Sequence, residues 1–238
     1  MWAMPPQMPA ERFQDLLDAA TRVFIAQGYH RTQMADVAAA MGVAKGTVYL
    51  YVESKEALFD AALRFADAPR PVSIPQRLPV PTPPAGRTLR YVRQRLGQEP
   101  PSQTLVTALG PGARPAAPAE LGAVLRELYA TFARHRTGLK LVDRCAAEYP
   151  ELGTVWFGQG REGLLELLAR YIDARVRTGD FHKVADVGIA ARIVLETVVF
   201  WAVHRHWDPS PQRVDAGVAE DMVVQMISAA LLVRRSQR

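Results

Sequence analysis

Lys45, Gly46, Thr47, Tyr49, Tyr51 and Lys55 fall in one short stretch, with Thr32 a little upstream. The set combines ammonium groups, hydroxyls and a missing side chain. It suits hydrogen bonding to phosphates and base edges rather than covalent chemistry. Lys45 can reach a base edge or a phosphate. Thr47 offers a hydroxyl and a methyl, the pair that meets a phosphate or a thymine methyl. Tyr49 and Tyr51 can give hydroxyls to phosphates. Gly46 removes a side chain where backbone would approach a nucleic acid closely. Lys55 and Thr32 each stand at the expected start of a helix, whose free N–H groups attract phosphate.

The spacing of apolar residues predicts the elements that hold this set. Phe13, Leu16, Leu17, Ala20, Val23 and Phe24 recur at threes and fours, predicting a helix over 10–27 that Gly28 stops. Thr32 is a candidate N-cap for a short helix over 33–41, ended by Gly42. A second short helix is expected over 44–51. Ser54 is expected to cap a fourth over 55–68, with Glu56 in its first turn suiting the helix dipole. Met34, Val37, Met41, Val43, Val48 and Tyr51 can close one small core, with Ala38 where two helices cross. Lys45, Gly46, Thr47, Tyr49 and Leu50 are left on the outer side. Tyr51 has two readings at this point, packing under the fourth helix or a phosphate contact. Arg31 is read as a solvated charge.

The string T-x-x-x-x-V-A-x-x-x-G-V-A-K-G-T-V-Y-x-Y-V-x-S-K-E-x-L, from Thr32 to Leu58, gives this stretch a family likeness. Residues 11–66 resemble the helix-turn-helix domain of the TetR family of transcription regulators. The resemblance implies that 44–51 is the recognition helix. It places DNA-contacting positions on Thr32, Lys45, Thr47, Tyr49, Tyr51 and Lys55. It also implies a homodimer that reads a two-fold symmetric operator, usually as a repressor, and answers to a small-molecule effector. It covers about a quarter of the chain. Beyond it the likeness is loose, to an all-helical ligand-binding and dimerisation domain.

The remainder of the 238 residues fits that frame without specifying it. The fold class expected is all-α. The domains expected are a disordered tail at 1–9, the DNA-binding domain at 10–68, a proline-rich linker at 69–85 and the larger helical domain at 86–238. The linker holds seven prolines and is expected to be extended or disordered. Helices are expected over 86–98, 102–109, 118–136, 137–148, 151–178, 185–207 and 212–235. Breaks are expected at Pro100–Pro101, Pro111–Gly112, Pro115, Pro118, Pro150, Gly179 and Pro209–Pro211. A single cysteine excludes an intramolecular disulfide and a Cys-rich zinc site, and a reducing cytoplasm is the natural reading. The opening residues have no basic region before an apolar one, so a tail is expected rather than a signal peptide. The apolar stretch 187–203 is interrupted by Arg192 and Glu196, so no membrane partner is expected.

Charge is unevenly spread. Residues 1–69 carry six Lys/Arg against eight Asp/Glu, whereas 70–140 carry eleven against three. Phosphate neutralisation is a main source of DNA affinity. The acidic balance of 1–69 therefore keeps a rival open, a helical ligand-binding protein that retains the motif without depending on DNA. The basic excess fits an acidic effector, stray phosphate contacts or plain arginine-rich surface, and the last is preferred.

Family likeness points to the long helices at 161–178 and 185–207 as partners across a two-fold axis. Leu164, Leu168, Tyr171 and Ile172 stripe the first. Ile193, Thr197, Phe200, Trp201 and His204 stripe the second. The second is apolar nearly all round, which predicts burial on two sides, within one chain or against a partner. Candidate pocket residues are Leu125, Tyr129, Phe132, Leu141, Cys145 and Trp156, each also explicable as core. His204 and His206, two apart on a helix, point to different sides, and no metal site is expected. The glycines at 158, 160 and 163 read as close packing rather than a phosphate cradle. No nucleophile has an evident base, so no catalytic residue, cofactor or enzyme activity is expected.

Overall fold

A computed structural model of the chain describes residues 10–98, 100–110, 118–210 and 213–233. The described residues form helices, with two isolated β-bridges and no strand. The all-α class expected from periodicity is the class found. The tail at 1–9, the breaks at Pro111–Gly112, Pro115 and Pro211, and positions 212 and 234–235 of the last expected helix lie outside the described residues. None of the helices described is long and apolar enough to cross a membrane.

Two units divide the chain. The first takes residues up to Arg93 together with Thr137–Trp156. It opens with α1 (Ala10–Gln27), α2 (Met34–Met41), α3 (Lys45–Tyr49) and α4 (Lys55–Phe65). α1 packs on α2 and on α4, and α2 packs on α3. Phe13, Leu16, Phe24, Val37, Val48, Leu58 and Phe59 fill the space between them. Phe24 meets Phe59 edge-on at 5.1 Å, and Phe13 meets Phe65 at 6.0 Å. α5 (Arg87–Gln98) begins in this unit and is pinned to α4 by a polar clasp. Buried Asp60 accepts from Arg64 Nε at 2.6 Å and from Thr88 Oγ1 at 2.8 Å, and Arg64 lies over the Tyr91 ring.

The segment between α4 and α5 differs from the linker expected. The prolines do exclude helix, as α4 stops at Phe65. The segment is nevertheless tied to its own unit, as described below. α8 (Arg136–Ala146) and α9 (Pro150–Gly153) return to the same unit. Asp67 takes the backbone N–H groups of Thr137 and Gly138, at 3.0 and 2.9 Å, in the first turn of α8. Those donors have no partner within the helix, so a carboxylate there satisfies two of them.

The second unit takes Gln94–Arg136 and Phe157–Arg238. It is built from α6 (Gln103–Ala108), α7 (Pro118–Arg134), α10 (Glu162–Arg177), α11 (Val187–Ala202) and α12 (Ala216–Leu231). The expected helix over 151–178 is three pieces, because a π-helical stretch, Thr154–Arg161, separates α9 from α10. The expected helix over 185–207 ends at Ala202 and continues as a 3₁₀ turn, His204–Trp207. α11 packs on α7, α10 and α12. Buried Arg175 of α10 pairs with Glu120 of α7 at 3.0 Å, and Tyr171 Oη donates to the same carboxylate at 3.0 Å. A buried guanidinium needs such a partner, since an unpaired one is costly.

Candidate nucleic-acid interface

The turn between α1 and α2 is built on two local bonds. Gly28 takes a φ of 87°, the left-handed geometry that stops α1. Thr32 Oγ1 donates to the Gly28 carbonyl at 2.7 Å and is buried. Gln33, not Thr32, is the N-cap of α2, and its N–H is accepted by Asp36 Oδ2 at 2.8 Å. The Thr32 hydroxyl is thus committed inside the turn, and the side chain is not presented outward. The cap expected there is corrected by one residue.

Gly42 ends α2 with a φ of 67°. Its N–H and that of Val43 are accepted by the Ala39 and Ala38 carbonyls, both at 3.0 Å. The chain leaves that turn directly into α3, which is five residues long. Val48 is fully buried and Tyr51 nearly so, with Tyr51 stacked on Phe13 at 6.4 Å. Of the two readings open for Tyr51, packing is the one its surroundings support. Lys45, Gly46, Tyr49 and Leu50 are exposed, and Thr47 is half-buried. A Cβ added to Gly46 would meet open space, so no packing in this chain demands glycine there. Val48 and Tyr51 therefore anchor one side of α3 and leave a small, polar and cationic side uncovered.

Lys55 begins α4 behind its N-cap Ser54, whose side chain accepts from Ala57 N–H at 3.1 Å. Its ammonium donates to the carbonyls of Tyr29 and His30, at 3.1 and 3.3 Å, and lies 4.7 Å from the centroid of the Tyr29 ring. Lys55 closes the loop after α1 rather than standing free. The Tyr29 ring is a hub, in contact with Phe24, Phe59 and Tyr149. Its hydroxyl donates to Glu56 at 3.4 Å, and burial raises its pKa above the ordinary phenol value. Beside it, Arg144 donates to the Gln27 carbonyl and to Glu148, both at 2.9 Å. That arginine holds the Glu148 carboxyl below its usual range. Arg31 reaches the same carboxylate at 3.5 Å but stays 75% exposed, in keeping with the solvated charge expected.

The candidate pocket residues are divided between the two units. Leu125, Tyr129 and Phe132 are buried in the second unit. Leu141, Cys145 and Trp156 belong to the first. Burial pushes the Cys145 thiol up to about 12, so it is an inert core group, and Trp156 Nε1 donates to Asp143 at 3.0 Å. An open groove of about 410 Å³ lies in the second unit between α10 and the start of α11, beside Leu165, Ala169, Ile189 and Arg192. The α10 stripe expected at a partner chain is likewise corrected. Leu164, Leu168, Tyr171 and Ile172 are all buried within the unit. On α11, Ile193 and Phe200 are exposed, while Thr197, Trp201 and, in the 3₁₀ turn beyond, His204 are half-buried. Sequence reasoning missed Val218, Met222 and Met226 of α12, an exposed apolar stripe at four-residue spacing.

Two short helices joined by a glycine turn and braced by α1 and α4 define a helix-turn-helix. The profile of bacterial regulatory proteins of the tetR family matches residues 16–62, which hold nearly all of these four helices. The fatty acid metabolism regulator protein of Bacillus subtilis (strain 168) is 42% identical over 45 residues, 19% of this chain and 23% of that relative. The match thus spans under a quarter of the relative's length. Two solved structures are alike across the whole chain at low identity. The ketosteroid transcriptional regulator KstR2 of Mycobacterium tuberculosis is 16% identical, covers 98% of this chain and 100% of its own, and gives a TM-score of 0.54. A tetR-family regulatory protein from Rhodococcus RHA1 is 18% identical, covers 96% and 100%, and gives 0.52. At these identities the likeness is one of fold. Residues 16–62 of the chain thus match the helix-turn-helix of the tetR family, and the fold around it is the one those regulators share.

Proposed function

We propose that the protein is a homodimeric transcription regulator, a repressor by its type, that sets α3 of each subunit into a major groove of a two-fold symmetric operator. The observation that carries the reading is α3 itself. Its apolar side is fully engaged by Val48 and by Tyr51 just beyond, while Lys45, Gly46 and Tyr49 are left outward. Lys45 is assigned to a base edge or phosphate, and Thr47 and Tyr49 to hydroxyl contacts beside it. Gly46 is assigned to close backbone approach. Lys55 is assigned to fixing the loop that joins α1 to α2.

The second unit supports the dimer. Ile189, Ile193 and Phe200 on α11, with Val218, Met222 and Met226 on α12, leave apolar side chains open on two helices that pack together. Exposed apolar side chains gathered on packed helices are the kind of surface that favours an interaction site. A closed two-fold interface brings two reading heads into the symmetry that an operator with inverted half-sites requires. A small-molecule effector bound by the second unit would regulate DNA binding only through unequal affinity for the two states.

The experiment is selection of fragmented genomic DNA by the purified full-length protein, followed by sequencing. Enrichment of a two-fold symmetric site is the expected result. Absence of enrichment at low salt, where phosphate contacts are strongest, overturns the reading in favour of a helical ligand-binding protein.

A further inference from the structure

Residues 1–69 carry six Lys/Arg against eight Asp/Glu, and the segment that follows them offers a further cation. Residues 69–98 contain six arginines and no aspartate or glutamate. The part of this stretch before α5 is a strap folded back on the reading head. Arg70 pairs with Asp18 of α1 at 2.6 Å. Val72 is buried, and its N–H is accepted by Gln14 of α1 at 3.3 Å. Val80 then bridges Val52, just beyond α3. Its N–H is accepted by the Tyr51 carbonyl at 2.7 Å, and its carbonyl accepts from Glu53 N–H at 3.0 Å. Thr82 completes the seam, donating its N–H to Glu53 at 2.9 Å and its hydroxyl to Ser54 at 2.8 Å.

Arg77 lies between the two anchors, five residues after Val72 and three before Val80. Chain geometry keeps its Cα within about 10 Å of the Val80 Cα. Its side chain is exposed and makes no ion pair or hydrogen bond among the described residues. Arg70 is the contrast, with its charge already matched by Asp18. Pro75 and Pro79 flank Arg77 and fix φ, so the segment has little backbone freedom to lose on binding. A guanidinium in this position suits the bidentate geometry of a phosphate.

We propose that Arg77 is an additional DNA-phosphate contact, and that the proline-rich strap is part of the DNA-binding surface, held by the Val52–Val80 bridge beside the C-terminal end of α3. The proposal rests on the reading of α3 as the recognition helix. It accounts for how a reading head with an acidic balance meets a polyanion. The contact is to backbone, so it adds affinity without sequence preference.

The test is fluorescence anisotropy of the full-length protein with its selected site and with an unrelated duplex, over a range of salt. Arg77→Ala is expected to weaken both by a similar factor, roughly ten- to thirtyfold near 150 mM salt for two contacts per dimer. It is expected to lower the slope of log K against log salt by about two. Arg70→Ala removes the same formal charge from a paired position and is expected to keep the wild-type slope. Arg77→Lys is expected to restore most of the affinity. The proposal is overturned if Arg77→Ala keeps the wild-type affinity and slope, or if Arg70→Ala lowers the slope equally. Wild-type protein that binds no DNA at any salt overturns the reading of α3 as well, so the two failures are distinguishable.

Discussion

α3 and the α11–α12 pair each leave one side uncovered, and they do so with opposite side chains. α3 turns out a lysine, a glycine and a tyrosine. α11 and α12 turn out isoleucine, phenylalanine, valine and methionine, with Ile193 60% and Met226 64% exposed. Apolar surface kept in water forgoes roughly 25 cal/mol for each Å² that could be covered. A stripe of such residues on two adjacent helices therefore argues for a partner on energetic grounds alone. A polar side has no such cost, and its exposure by itself argues nothing. α3 becomes informative only because its other side is committed, its length is five residues, and its sequence matches a family of DNA readers.

That contrast breaks first, and with the largest effect, at the apolar pair. Ile193→Asp together with Met226→Asp is expected to give a monomer in sedimentation velocity. Affinity for a two-fold site should fall by about a hundredfold or more, because the second half-site no longer benefits from linkage to the first. Thermal stability of the monomer should change little, since both side chains are exposed. A variant that stays dimeric and keeps its affinity places the interface elsewhere.

At α3 the expected losses are smaller and carry base information. Lys45→Ala should cost about 1–3 kcal/mol of DNA binding and relax preference at one position of the site. Its melting temperature should match wild type, because the side chain is exposed. Gly46→Ala sharpens the point, since the two properties move in opposite directions. Added Cβ meets open space in the free chain, and alanine is the better helix former by about 1 kcal/mol. The variant should therefore be as stable or more so in urea unfolding, yet bind DNA about tenfold more weakly, for an estimated cost near 1.4 kcal/mol. Unchanged binding would remove close backbone approach at Gly46 from the reading.

How far the sequence foretells these features depends on what kind of force sets each one. α1 runs over the expected residues because a three-and-four apolar rhythm and a glycine stop are both local signals. α2 to α4 were legible for the same reason, with errors at the ends where a cap or one more turn is decided by neighbours. Periodicity marked Leu164, Leu168 and Tyr171 as one apolar stripe, but it cannot say whether the cover comes from the same chain. Glu120, far away in sequence, decides it for Tyr171. α12 has apolar residues on both sides, Ala219, Val223 and Ile227 inward and Val218, Met222 and Met226 outward, so its rhythm hides the second face. The strap was illegible for a different reason. Its anchors are backbone N–H groups and single side chains such as Gln14 and Glu53, which leave no periodic trace among prolines.

Lys55 gives the smallest effect and the finest test. A lysine at the start of α4, behind a serine cap, reads from sequence as a phosphate contact whose loss would touch DNA binding alone. The structure gives its ammonium three engagements inside the unit, the Tyr29 and His30 carbonyls and the Tyr29 ring. Lys55→Ala should then lower unfolding free energy by about 1 kcal/mol, the net worth of such hydrogen bonds at a partly exposed site. Its DNA affinity should fall only a few-fold, through a loosened loop between α1 and α2. Lys55→Met keeps an unbranched apolar stem and removes the charge that lies over the ring. It should recover part of the stability and none of the carbonyl bonding. Measured by urea unfolding beside salt-titrated binding, the two variants separate the roles. Wild-type stability with a reduced salt slope would return Lys55 to the DNA backbone; reduced stability with an unchanged slope would make it a brace for the loop that positions α2 under the reading helix.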